Sequence, residues 1–300
     1  MKVIVTGHCG FIGQHLLNEL ELYGHTVVGA DRHTGQDLRS SEIVDEVFTL
    51  HDDADVCVHL AAKVGRLFGE DNPVETVVDN VGMTALVARA CGQRGIRLAY
   101  ASTSEVYGDN GSRVCDEHDG PFTLPHNLYG ISKRHGEDVC DHYAPEGVTV
   151  FRFSMPYGPG LPAGKGRAAI VNMLHQALHR ERIPVHRGAE RSWCWIGDTV
   201  RAVRLVLEQV PEGGVFNVGR DDASVTMRQV AKQACKLTAA PQTLIEMVDA
   251  PPNQTVVKRL STEKIRLLGW QPTVDLEEGM SRTLDWVRTI DRSEQEAKTA

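Results

Sequence analysis

Hydrophobic and polar positions along the first half of the chain predict strands and helices in alternation. Val3 to Val5 is a short β-branched run, followed by the turn Thr6-Gly7-His8-Cys9-Gly10-Phe11-Ile12-Gly13 and an amphipathic stretch from Gln14 to Tyr23. A second run, Thr26 to Ala30, ends at Asp31. Together they make a βαβ unit with a right-handed crossover. The interval before the next strand, Val56 to Leu60, holds Asp37-Leu38 and a polar helical segment from Ser40 to Leu50, so a third strand there is expected to be reduced or missing. Asn80 opens a helical stretch, Val81 to Cys91, where an N-cap is the plain reading. Gly92 and Gly95 lead into the apolar run Ile96 to Ala101, a buried strand ending at Ser102-Thr103-Ser104-Glu105-Val106-Tyr107-Gly108. A polar loop, Asp109 to Asn127, precedes a helix from Tyr129 to about Tyr143.

The candidate chemistry falls at strand ends, which face the ligand crevice in open α/β sheets. In a glycine turn of this kind Gly7 permits the bend, Gly10 lets backbone approach a pyrophosphate and Gly13 packs helix on strand. N–H groups at the helix start, at Phe11 and Ile12, hold the anion. Asp31 would pair with the adenosine ribose hydroxyls, which favours NAD, while Arg32 beside it keeps NADP open. Asp37, Leu38, Asn80 and the small residues of Leu60-Ala61-Ala62 are further cofactor candidates, the last equally readable as a plain turn. Ser102-Thr103-Ser104 places three hydroxyls at a strand end, a common turn composition in itself. Tyr129 and Lys133 lie four apart and share one helical face. A tyrosine pKa near ~10 falls beside an ammonium and an oxidised nicotinamide, which makes Tyr129 a base near neutral pH. Such a pair also occurs on solvated helix faces. Its order after a dinucleotide turn and a hydroxyl cluster points to catalysis.

Composition narrows the partners. A hydrophobic share of 41% supports a substantial core, and the net charge of −8, from 32 basic and 40 acidic residues without long runs, argues against a nucleic-acid or anionic-membrane surface. A polyanionic ligand would need a local basic site. Seven scattered cysteines suggest neither disulfides nor zinc and fit a reduced cytoplasm. No signal peptide is expected before the first strand, and no stretch is long and apolar enough to span a bilayer. His175, His179 and His186 read as surface or packing residues, so no metal is expected.

With these motifs in order, the chain resembles the extended short-chain dehydrogenase/reductase family, the nucleotide-sugar epimerases and dehydratases. The resemblance runs through Thr6 to Gly13, Asp31, Leu60 to Ala62, Asn80, Ser102 to Gly108, Tyr129 to Lys133, Tyr157-Gly158-Pro159, Arg191 to Asp198 and Leu268-Gly269-Trp270-Gln271-Pro272. It implies an α/β fold, a doubly wound parallel Rossmann-type sheet with a smaller C-terminal substrate domain. The expected parts are an NAD-binding domain over 1–155 with a strand at Phe151 to Ser154 and a return segment about 193–219, a substrate-binding domain mainly over 156–290, and a mobile polar tail, 291–300. A homodimer through the helices Val81 to Cys91 and Tyr129 to Tyr143 is a further family expectation.

The resemblance also assigns roles. Tyr129 would take the C4 hydroxyl proton of a sugar while hydride leaves C4 for NAD; Lys133 would bind the cofactor ribose and lower the tyrosine pKa, and Thr103 would hydrogen-bond the same hydroxyl. Ser104 and Glu105 resemble the pair found in dehydratases and in glucuronate-type decarboxylases, where a carboxylate acts, although epimerase-like relatives carry the glutamate too. Arg191 matches a phosphate-binding arginine, with Lys165, Arg187, Lys258 or Arg259 as further cations, and Lys63 borders the sugar pocket in fucose-synthase-like relatives. Two departures stand out. Met155 replaces an asparagine that touches the substrate diphosphate, and Pro251-Pro252-Asn253-Gln254 stands where many epimerases have Arg-x-Gly-Asp. The leading expectation is an NAD-dependent nucleotide-sugar epimerase with a transient 4-keto sugar. The alternatives are a 4,6-dehydratase or nucleotide-uronate decarboxylase and, in another class, a non-catalytic NAD-binding sensor or scaffold.

Overall fold

The computed structural model describes residues 1–111, 113–144, 147–161, 169–221, 224–251 and 254–299, with side chains throughout except at 121–122 and 292–299. The first half runs β1 (Lys2–Thr6), α1 (Phe11–Leu22), β2 (Thr26–Ala30), α2 (Ser41–Leu50), β3 (Val56–His59), α3 (Arg66–Asp71), α4 (Pro73–Val77), a π-helical turn Val78–Gly82, α5 (Met83–Arg94), β4 (Arg97–Thr103), α6 (Leu128–Tyr143) and β5 (Val148–Phe153). The remainder is β6 (Pro156–Tyr157), α7 (Ala169–Leu178), β7 (Ile183–His186), β8 (Glu190–Ser192), β9 (Cys194–Trp195), α8 (Ile196–Gln209), β10 (Gly214–Val218), β11 (Ser224–Thr226), α9 (Met227–Leu237), β12 (Ile245–Val248), α10 (Glu263–Arg266) and α11 (Leu276–Thr299).

Six strands form one parallel sheet in the order β10-β5-β4-β3-β1-β2. Burial on both faces explains the unbroken apolar runs read from the sequence. Successive side chains point to opposite faces, so Val3 and Val5 pack with Leu16, Leu20 and Val203 beneath α1 and α8, while Ile4 packs with Val87, Cys91 and Tyr100 beneath α2, α5 and α6. No strand lies between β2 and β3, as the short interval suggested; that stretch holds a 3-10 turn, Arg32–Thr34, and α2. Strand order reverses between β1 and β3, and the ligand crevice of an open α/β sheet opens at such a point.

A second apolar cluster unites α7, α9 and α11 with β7 and β12 through Leu174, Ile183, Val185, Val230, Ala234, Met280 and Leu284. The segment expected as a polar tail is helical through Thr299, as the end of α11. Asp291 explains part of this, because it is held by His179 at 2.9 Å. Among the described residues no helix is long and apolar enough to cross a membrane.

The approach of α6 to β4 depends on Gly136, where a Cβ atom would collide with the buried Tyr100 hydroxyl. Gly136→Ala therefore lowers the urea midpoint, because overpacking of about 1–3 kcal/mol outweighs a helix-propensity gain of up to about 1 kcal/mol. A midpoint equal to or above that of the parent would refute the close contact.

Candidate active site

The glycine turn after β1 leaves no room for side chains. Gly7 has φ +72°, a Cβ on it would lie 2.7 Å from the Ala61 nitrogen, and one on Gly13 would strike the Gly7 carbonyl. Gly10 caps α1 with no side-chain hydrogen bond, so the N–H groups of the first turn stay available to an anion. Asp31 closes the turn from β2. Its carboxylate accepts from His33 N at 2.9 Å, His33 Nδ1 at 2.8 Å and Cys9 N at 3.3 Å. Burial pushes its pKa up, but these hydrogen bonds hold it below the ordinary value. The chain after β3 lies alongside: Leu60 N donates to Thr6 O at 3.1 Å and Ala61 N to the Thr6 hydroxyl at 3.4 Å. These parts make a cradle that fits NAD.

Other cofactor candidates have different occupations. Asp37 pairs with Arg39 through Nε at 2.9 Å and Nη2 at 2.5 Å, and that hydrogen bonding holds its pKa at about 2. The Leu38 side chain lies in the core beside Val44 and Phe48, and Arg32 is exposed. The N-cap reading of Asn80 is corrected, because the backbone is helical on both sides of it. A π turn instead aims its amide at Lys63 N (2.7 Å), Lys63 O (3.0 Å) and Ser132 Oγ (3.0 Å), tying the loop after β3 to α6.

β4 delivers Thr103 to the crevice, and Thr103 Oγ1 accepts from Glu105 N at 3.2 Å as the cap of a 3-10 turn, Ser104–Tyr107. Its own proton remains to donate. Ser104, at 1% exposure, sits beneath the crevice surface. Tyr129 is half-buried in the first turn of α6, whose cap Asn127 accepts from Gly130 N at 2.9 Å. One turn later Lys133 is buried with Nζ 4.1 Å from the Tyr100 ring centre. Burial pulls its pKa down to about 7, against smaller opposing effects of Cys140 and Glu137. His59, bonded to Thr6 at 2.6 Å and Thr84 at 3.2 Å, is held neutral at about 3 by burial and by Lys133.

Glu105 is fully engaged. Oε2 accepts from Asn127 Nδ2 at 2.9 Å and Thr255 Oγ1 at 2.7 Å, and Oε1 pairs with the buried ammonium of Lys258. Burial pushes its pKa up, but Lys258 and Thr255 win and leave it at about 2. Burial pushes Lys258 down, and Glu105 opposes this. Arg191 lies close by, its guanidinium donating to the carbonyls of Glu190 (2.8 Å), Val256 (2.6 Å) and Thr255 (2.5 Å). Of the other cations, Arg259 pairs with Glu190 at 3.0 Å, Arg187 is exposed beside Asp249, and Lys165 lies outside the described residues. Lys63 meets Glu75 at 2.5 Å and Asp79 at 3.8 Å. Met155, in the asparagine position, has φ +43°, a left-handed conformation that asparagine adopts more readily than methionine.

Sequence reasoning missed the support beneath this site. Glu137 pairs with Arg152 through Nε at 3.0 Å and Nη2 at 2.7 Å and accepts from Ser102 Oγ at 2.5 Å. Arg152 reaches the Tyr107 hydroxyl at 2.9 Å, and that hydroxyl donates to Asn217 Oδ1 at 2.8 Å. Glu137 stands four residues after Lys133 on the same helical face, the one local signal available. Of the histidines read as surface or packing residues, His179 is exposed and His175 partly so, and both rings meet Asp291, a contact the sequence did not suggest.

A family model described as the NAD dependent epimerase/dehydratase family matches residues 3–219. UDP-glucuronic acid decarboxylase 5 of Arabidopsis thaliana is 30% identical, with 93% of this chain and 87% of that protein covered. The UDP-glucose 4-epimerase of Thermus thermophilus, solved with NAD, superposes with a TM-score of 0.85 at 25% identity over 96% of this chain and 99% of that one. MoeE5, solved with UDP-glucuronic acid and NAD, gives 0.86 at 26% identity, covering 97% and 100%.

The buried lysine sets a pH test. Its ordinary pKa is 10.5 and its folded value about 7, so between these limits the unfolded chain holds a proton that the ligand-free native chain has released. The contribution of Lys133 to stability therefore rises with pH through that window. Urea unfolding of the parent and of Lys133→Met at neutral pH and near pH 9.5 should show the parent gaining relative to the variant. A constant or shrinking difference would contradict the assignment.

Proposed function

This chain belongs to the NAD dependent epimerase/dehydratase family, and from that premise we propose that it is a decarboxylase of a UDP-linked hexuronate. The state of Glu105 carries the reading. A 4,6-dehydratase needs a carboxylate to lift the C5 proton, and a general base works best with a pKa near the operating pH. Glu105, at about 2 and bonded by Lys258, Asn127 and Thr255, is poorly placed for that work. Loss of carbon dioxide from a 4-keto uronate needs no base at C5, because the C5–C6 bonding electrons pass into the adjacent ketone. The resemblance to the Arabidopsis decarboxylase supports the same choice. A 4-epimerase, the leading expectation from sequence, also dispenses with a C5 base and is the second reading, favoured by the likeness to the Thermus enzyme.

NAD bound in the glycine cradle supplies the acceptor and later the donor of one hydride. The chain's own residues manage protons and charge. Tyr129 takes the proton of the sugar O4, and Lys133 favours the phenolate and holds the nicotinamide ribose. Thr103, whose oxygen already accepts from Glu105 N, turns its proton toward O4 and polarises the ketone. The enolate left by carbon dioxide takes a proton from solvent water at C5, and Tyr129 returns its proton to O4 as the ketone is reduced. Arg191 interacts with the acids Glu105 and Asp109 and with a further cation, Arg66, and Lys258 interacts with Glu105 and Arg191, so three positive charges meet two acids and leave an excess for the diphosphate. The segment 156–290 supplies most of the sugar-nucleotide wall, with Lys63 as a supporting contact and Ser104 beneath the crevice floor. Seven free thiols fit a reducing compartment such as the cytoplasm.

Two measurements test these readings. With UDP-glucuronate labelled at C6, NMR should show labelled carbon dioxide and a UDP-pentose, and Tyr129→Phe should slow the reaction by about 10²–10⁴-fold. A C4-inverted product that keeps C6 would replace this reading with the epimerase. A C6 methyl formed from UDP-glucose would replace it with the dehydratase. For assembly, Val74, Val78 and Ile131 are exposed on helical segments that pack together, a surface suited to a homodimer. Sedimentation should give twice the chain mass, and a monomer would refute this.

A further inference from the structure

Away from the crevice, α7 and α11 bring three metal-ligating side chains together. His175 and His179 are four residues apart on α7 and so share one face. Asp291, on α11, enters between them. His179 Nε2 lies 2.9 Å from one carboxylate oxygen and His175 Nε2 lies 3.8 Å from the other. The ring centres are 4.3 Å apart at 41°, and one ligand atom from each of the three residues falls within 4.8 Å of the others. Nothing in the proposed reaction uses these residues.

We propose that His175, His179 and Asp291 form a binding site for a divalent transition-metal ion of the zinc type, with water completing its coordination. The donor set is two imidazole nitrogens and one carboxylate oxygen, which suits zinc, cobalt or nickel better than the oxygen-seeking calcium and magnesium. Ligands at about 2.0–2.2 Å from zinc stand roughly 3–3.5 Å from one another, and His179 and Asp291, at 2.9 Å, are already close to that separation. His175 closes the remaining gap by a side-chain movement, for which its 40% exposure leaves room. Asp291 is the fixed ligand, at 14% exposure. The ion would join two helices whose ligating residues are 112 positions apart in the chain, and both helices contribute to the second apolar cluster through Leu174 and Met280. Its effect is that of a removable cross-link between α7 and α11.

The test uses the full chain, made without a histidine tag and freed of metal with a chelator. Cobalt titration followed by visible absorption, and zinc titration by calorimetry, should each give one ion per chain. Zinc at a hundredfold excess over its dissociation constant should raise the melting temperature by about 5 °C. His179→Gln and Asp291→Asn should each weaken binding by more than the roughly 10–100-fold cost of losing an outer partner. Both variants should keep the far-UV spectrum of the chelated parent, while His51→Gln binds as the parent does. Should either fail to fold, His175→Gln replaces it. Absence of bound metal at submillimolar ion, or affinity unchanged in the variants, would overturn the proposal and leave a hydrogen-bonded His-Asp contact.

Discussion

The position of α6, the helix that carries Tyr129 and Lys133, depends on one buried ion pair, Glu137 with Arg152. Glu137 rides on α6 one turn below Lys133 and two below Tyr129, and Arg152 stands in β5, so the pair sets how far those two side chains reach over the strand ends. Arg152 then fastens the turn after β4 through Tyr107, and Tyr107 fastens β10 through Asn217. A buried pair of this kind contributes little net stability compared with a well-packed apolar replacement, yet removing one partner costs about 3–5 kcal/mol. Its value here is placement. α6 and β5 carry the two charged groups, and the turn after β4 and then β10 are tied to them through Tyr107 and Asn217.

The same logic distinguishes the two carboxylates nearest the proposed chemistry. Glu137 is spent on architecture. Glu105 is spent on holding the return of the chain from the second half, since Thr255 and Lys258 both end on it. Lys258 is therefore fastened to the residue following the hydroxyl cluster, while Arg191 is held beside it by the carbonyls of Thr255 and Val256.

What could be read from the sequence was local. The glycine turn, the strand runs and the Tyr129–Lys133 spacing each depend on residues within one or two turns of each other, and each stands where expected. The reduced third strand was legible from interval length alone. Contacts between distant segments were not. Lys258 was one cation among four until the fold brought it against Glu105, 153 positions earlier in the chain, and Asp291 gave no hint of meeting two histidines. Asn80 shows a subtler limit: an asparagine before a helical run suggests a cap, but the helix had already begun at Pro73, and the freed amide serves tertiary contacts.

Met155 holds a different kind of record. A left-handed backbone at a methionine stores about 1–3 kcal/mol and persists only where its surroundings over-determine it. Here the surroundings include the hydrogen bond from Cys194 N to the Met155 carbonyl, at the step where the chain leaves β5 for β6. The resemblance places asparagine at this step, a residue at ease in that conformation. The bend between β5 and β6 is thus set by the pairing of this step with β9 rather than by the residue that fills it, and the conformational cost falls on Met155.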